Sequence, residues 1–196
     1  MKKSLLIAAM ALVCGTMVYA QPRAIGGRLG WNEDFVYQHS LSDKTFIEFN
    51  VGLFDLSYTP GHNVFSGGIH ADFLHEWIWL TPEWTPKGEW NWFAGVGANV
   101  GWKWNDFHRV YSKFSGKDYF YDAPAFMVGA IANIGLEYNF WFPLSLAVDY
   151  RPTLGVLLGR EAGSSYASDG DGPSPIRLHT SGLYDFAISV RYKFNQ

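Results

Sequence analysis

The clearest pattern in the chain is a strict alternation over residues 90–104, WNWFAGVGANVGWKW. One set of alternate positions reads Trp90, Trp92, Ala94, Val96, Ala98, Val100, Trp102, Trp104. The other reads Asn91, Phe93, Gly95, Gly97, Asn99, Gly101, Lys103. A period of two predicts a β-strand whose two faces meet different surroundings, because successive side chains of an extended chain point to opposite sides. The first face is apolar throughout, small in the middle and Trp at both ends. Trp joins an apolar ring to one N–H donor, which suits the boundary between hydrocarbon and water. The ten steps from Trp92 to Trp102, at ~3.4 Å each and a tilt of ~40°, rise about 26 Å, the height of a bilayer's apolar band. A strand of a soluble sandwich is shorter and has no need of Trp pairs at both ends.

The same reading along the chain predicts eight strands. The first is 24–31, with Ile25, Leu29 and Trp31 opposite Arg28. The second is 35–41, with its facing open. The third, 45–54, sets Ile47, Phe49, Val51 and Leu53 outward against Glu48, Asn50 and Gly52. The fourth, 67–80, sets Ile69, Ala71, Phe73, His75, Trp77 and Trp79 against His70, Asp72, Leu74 and Glu76. The fifth is 90–104. The sixth, 124–140, turns Gly129, Asn133, Gly135 and Glu137 inward; the seventh, 144–155, turns Ser145, Asp149 and Arg151 inward. The eighth, 183–194, alternates Tyr184, Phe186, Ile188, Val190, Tyr192 and Phe194 with Asp185, Ala187, Ser189, Arg191 and Lys193. Trp77, Trp79, Trp90, Trp92, Trp102 and Trp104 form the expected aromatic girdle.

Connections alternate in length. Those at 42–44, 81–89 and 141–143 are short to moderate; those at 55–66, 106–123 and 156–182 are long. Short turns at one end and long loops at the other are the pattern of outer-membrane barrels. Seven strands would leave the first and last parallel at the seam. The expected fold is therefore all-β, an eight-stranded antiparallel up-and-down transmembrane β-barrel.

The N-terminus supports an exported protein. Met1-Lys2-Lys3 precedes an apolar run from Leu5 to Val13, and Val18-Tyr19-Ala20 precedes Gln21. This is the layout of a secretory signal peptide over residues 1–20, cleaved after Ala20. A lipoprotein cut at Cys14 is the rival, disfavoured by the bulk of Val13. Cys14 is the only cysteine, so residues 21–196, the expected barrel domain, have no thiol chemistry. Losing Lys2 and Lys3 leaves 13 basic against 18 acidic residues, formally −5, which offers nothing to nucleic acid. Aromatics reach 18% of the chain, yet residues 21–196 contain no run of ~20 apolar residues for a membrane helix.

The ending AISVRYKF resembles the final strand of outer-membrane barrels, whose alternating aromatics and Phe are read by the insertion machinery. In that pattern the Phe is usually last; here Asn195 and Gln196 follow Phe194. The runs NWFAGVGANVGW and GLEYNFWFPLSLAVDYRP resemble small outer-membrane β-barrel proteins of the eight-stranded OmpA/OmpX type. The resemblance spans most of 24–194 and implies fold, outer-membrane location, a lipid surround and engagement of the insertion machinery through the C-terminal strand. It implies no catalytic residue.

The inward face is charged: Arg28, Glu48, His70, Asp72, Glu76, Lys103, Glu137, Asp149, Arg151, Asp185, Arg191 and Lys193. An ion or proton path is one reading. The near-balance of signs favours the other, a network of paired charges, since eight strands leave an interior just wide enough for side chains. Asp149 is the expected partner of the Arg151 guanidinium, with another inward acid as the alternative. His70 and Asp72, with Glu48 or Glu76, have residue types able to bind a metal or share a proton; a hydrogen-bonded His on a polar wall is the commoner outcome. His39 and Ser40 cannot form a hydrolytic dyad, because neighbours on a strand face opposite ways. Asp169–Gly172, DGDG, lacks the further acids of a calcium loop. The connection 106–123 is a candidate contact surface, with Phe107, Arg109, Tyr111, Lys113, Phe114, Tyr119, Phe120 and Tyr121. Packing over the barrel mouth is its competing role.

These features point to a structural or binding module that presents loops to an unknown extracellular ligand, with no cofactor, no metal and no enzymatic role. A narrow or gated channel for small solutes is the alternative, and a lipid- or peptide-cleaving barrel a distant third.

Overall fold

The computed structural model describes residues 22–59, 64–105, 108–112, 117–121, 124–159 and 176–194. The expected leader, with Cys14, lies outside these residues, as do DGDG and Asn195–Gln196.

The described residues form twelve strands: β1 Pro22–Gly30, β2 Glu33–Ser40, β3 Thr45–Thr59, β4 Val64–Leu80, β5 Glu89–Asn105, β6 His108–Ser112, β7 Lys117–Tyr121, β8 Ala125–Asn139, β9 Leu144–Tyr150, β10 Thr153–Gly159, β11 Ile176–His179 and β12 Phe186–Lys193. Among the described residues β6 and β7 pair only with each other. The other ten form one closed antiparallel wall of eight staves, because two staves are each made of two strands. β9 pairs with the lower part of β8, from Ile134 to Asn139, and β10 with the upper part, from Ala125 to Ile131. The break falls at Arg151-Pro152, where proline has no N–H to give the ladder. The alternation continues in phase across it: Asp149, Arg151, Thr153 and Gly155 are all buried. The eighth stave is β11 and β12, separated by a 3-10 turn at Ser181–Tyr184. β1 closes the ring on β12, from Ala24 opposite Lys193 to Gly30 opposite Ala187.

The all-β eight-stave barrel is thus the fold. Three sequence readings change in detail. The loop at 55–66 is largely strand, because β3 runs to Thr59 and β4 starts at Val64. The connection 106–123 contains the β6–β7 hairpin, with Arg109 opposite Phe120 and Tyr111 opposite Asp118. The stretch 156–182 gives up its ends to β10 and β11.

Burial is inverted relative to a water-soluble protein. Arg28, Glu48, Glu76, Arg151 and Arg191 are at most 1% exposed, while Val51, Val96, Val148, Ile188 and Phe186 are each more than half exposed. Two small apolar clusters sit inside: Phe46, Phe93 and Ala147 toward the end that holds the chain's described termini, and Phe54, Ala125, Met127 and Leu157 toward the other. Arg28, Asp34, Glu48, His70 and Asp72 lie between them.

Candidate functional site: the charged barrel interior

Each inward charge is placed by strand alternation, and closure of the ring brings distant staves within reach. Arg28 on β1 is the largest hub. Its Nε donates to Asp149 Oδ1 at 2.8 Å, and its two terminal nitrogens reach the two oxygens of Asp185 at 3.0 and 3.1 Å. Nη1 also donates to Asp34 Oδ2 at 3.3 Å. Asn32 adds a bond to Asp185 at 3.1 Å. A two-pronged guanidinium–carboxylate contact fixes geometry as well as charge.

Glu48 is the second hub. It accepts from Arg151 Nη2 at 2.6 Å and from Gln38 Nε2 at 2.7 Å, and Arg191 Nη2 stands 3.5 Å away. Arg191 links onward to Glu137 Oε2 at 3.2 Å, and Glu137 also accepts from Arg23 and, at 2.9 Å, from Asn139. Arg23 covers the ring of Phe46 with its guanidinium 4.1 Å from the centroid. The closest carboxylate to Arg151 is therefore Glu48 rather than Asp149. Asp149 Oδ1 is 3.8 Å from Arg151 Nε and is taken up by Arg28.

His70 lies between two carboxylates. Its Nε2 is 2.8 Å from Asp34 Oδ1 and its Nδ1 is 3.1 Å from Asp72 Oδ1, with Asn99 against both His70 and Asp72. Asp34, His70 and Asp72 are close enough to offer a metal three ligand atoms. The surroundings argue for a hydrogen-bonded imidazole instead. Both ring nitrogens are engaged, Arg28 already faces Asp34, and Arg151 Nη1 lies 4.0 Å from Asp72. Neither Glu48 nor Glu76 joins this group. Glu76 bonds Asn133 and has no cation within ion-pair distance among the described residues. Lys103 stands apart, toward the upper cluster, paired with Asp55 at 2.9 Å.

Asp34, Gln38 and Arg23 are network members that sequence reasoning missed. The facing of β2 was ambiguous because Val36 is inward and His39 outward; the usable signal was Phe35 and Tyr37 outward against Asp34 and Gln38.

The outer face places Trp79 against Trp92 at 6.0 Å, Trp84 against Trp90 at 5.5 Å and Trp90 against Tyr138 at 4.6 Å. Trp77 also faces out at that end, and Trp102 and Trp104 face out at the opposite end of β5. Of the candidate contact residues, Phe107, Lys113 and Phe114 lie outside the described residues, and Arg109, Tyr111, Tyr119, Phe120 and Tyr121 occupy backbone positions of β6 and β7.

In comparisons with family models, curated proteins and solved structures, no match to this chain was found.

Proposed function

We propose that this chain is an integral outer-membrane β-barrel, exported by its N-terminal leader, whose filled interior makes it a structural or binding module rather than a pore. The observation that carries this reading is the inverted burial. Apolar side chains left exposed around a closed wall are costly in water and favourable in hydrocarbon. Charges sealed inside are tolerable only when they are paired and hydrogen-bonded. Strands satisfy their own backbone groups when the sheet closes, so a barrel needs no helix to span a bilayer.

On this reading the short connections at 41–44, 81–88 and 140–143 face the periplasm and the long ones face outward. The unknown ligand meets those outer connections, and the C-terminal strand addresses the insertion machinery. Supporting the filled interior are two apolar clusters in the lumen and the ion pairs packed among the described residues. Refolding from urea into phospholipid vesicles, followed by planar-bilayer recording, tests both parts. The account expects strand-rich insertion and no steady conductance. A chain that stays in buffer as a folded monomer contradicts the location, and a barrel that conducts steadily makes it a channel.

A further inference from the structure

The staves differ in height. The β1–β2 hairpin turns at Trp31 and Asn32, and β2 pairs with β3 only as far as Glu33 opposite Leu53. β3 continues to Thr59. On the other side β12 reaches Ala187 opposite Gly30, and among the described residues β11 pairs only with β10. Among the described residues the wall therefore has a notch above Trp31, bounded by 54–59 of β3 and by β11.

β3 carries a bulge at this height. Asp55 and Leu56 lie between Phe54, opposite Gly68, and Ser57, opposite Ser66. Asp55 has φ 51°, in the left-handed region that non-glycine residues seldom occupy. Bulges re-aim side chains, and Asp55 here meets Lys103 Nζ at 2.9 Å and His179 Nδ1 at 3.7 Å. A cavity of about 340 Å³ lies at the notch, lined by Trp31, Asp55, Leu56, Ser57, Ser66 and Lys103. Its inner side holds an ion pair and hydroxyls, and its outer side the exposed Leu56 and Trp31. Ser66 is only 5% exposed, yet its Oγ has no hydrogen-bond partner among the described residues. A buried hydroxyl left unpaired is uncommon in folded proteins, and a ligand's polar atom would satisfy it.

We infer that the notch binds the headgroup of a lipid carrying both a phosphate ester and an ammonium group. The phosphate lies toward Lys103 and Ser66, the ammonium toward Asp55, and the acyl chains leave over Leu56 and Trp31. A simple anion would face Asp55 and a simple cation would face Lys103, whereas a group with both charges answers both. Lys103 sits between Trp102 and Trp104 in sequence, which puts the cavity level with the outer Trp pair, where headgroups lie. This rests on the membrane reading, because the chains must pass into a bilayer.

The test uses the barrel refolded in dodecyl maltoside, with dihexanoyl phosphatidylethanolamine as probe and native mass spectrometry as readout. One lipid per chain is expected, with phosphatidylglycerol of the same chain length held about tenfold more weakly, a difference of about 1.4 kcal/mol. Ser66→Ala and Lys103→Gln should each lower retention severalfold, and free phosphoethanolamine should compete poorly because it lacks chains. Equal retention of both lipids, unchanged retention by both variants, or equal competition by the free headgroup would overturn the proposal. So would a barrel that inserts into vesicles yet holds no lipid, and that result leaves the membrane reading standing. A chain that folds in buffer and ignores vesicles overturns the membrane reading and this inference with it.

Discussion

Arg151 and Glu48 meet across the lumen. Arg151 Nη2, on the seventh stave, donates to Glu48 Oε1, on the third, at 2.6 Å, and both side chains are fully buried. They tie opposite sides of the ring together, and each is the other's nearest opposite charge. Removing one partner of such a pair leaves an uncompensated charge and costs about 3–5 kcal/mol. Arg151→Met should therefore lower stability by about that amount, and adding Glu48→Gln should recover part of the loss. Urea unfolding of the two single variants and the double variant from vesicles checks this. Simple additivity would show that the pair is not coupled.

Packing at the lower end of the lumen gives a second expectation. A Cβ at Gly135 would fall 2.4 Å from the Phe93 ring, inside the cluster that Phe93 forms with Phe46. Gly135→Ala should destabilise the barrel by about 1–3 kcal/mol through overpacking. Combining it with Phe93→Leu, which relieves the ring contact but not the 2.9 Å approach to the Val148 carbonyl oxygen, should cost less than the sum of the two changes. A neutral Gly135→Ala would mean that the ring has room to move.

Topology is open to labelling on intact cells. A cysteine at Asp169, in the longest connection, should react with an impermeant maleimide. One at Asp43, in the β2–β3 turn, should react only after the outer membrane is opened. Labelling at Asp43 on intact cells would reverse or refute the proposed orientation.

Much of the wall was legible in the sequence, because β5 and β8 alternate without interruption and their outer faces are apolar from end to end. Legibility failed where the period broke. The bulge at Asp55 and Leu56 shifts the phase of β3 by one residue, so its upper third read as loop. β2 mixes Val36 inward with His39 outward, which hid Asp34 and Gln38. β11 is cut off from β12 by a 3-10 turn and read as part of a long connection. The charged interior was visible as a set of residues, but its pairing was not. Which acid Arg151 meets depends on the stagger of the closed ring, a property of all eight staves together, so sequence proximity favoured Asp149 where geometry delivers Glu48.

Val96 tests the solvent of the outer face by substitution. It lies midway between the Trp pairs of β5 and is 56% exposed. In hydrocarbon, Val96→Arg should cost about 2–4 kcal/mol, while Val96→Leu should be close to neutral. At a water-exposed position both changes would fall within about 0.5 kcal/mol. Unfolding midpoints of the two variants in vesicles separate the cases.

The most direct measurement places a bimane on Val96→Cys in vesicle-inserted protein and compares two quenchers. Lipids brominated near the middle of their acyl chains should quench it strongly, and aqueous iodide should leave it nearly unchanged. Strong quenching by iodide with none from the brominated lipid would contradict the account, because the apolar face of the barrel would then be meeting water.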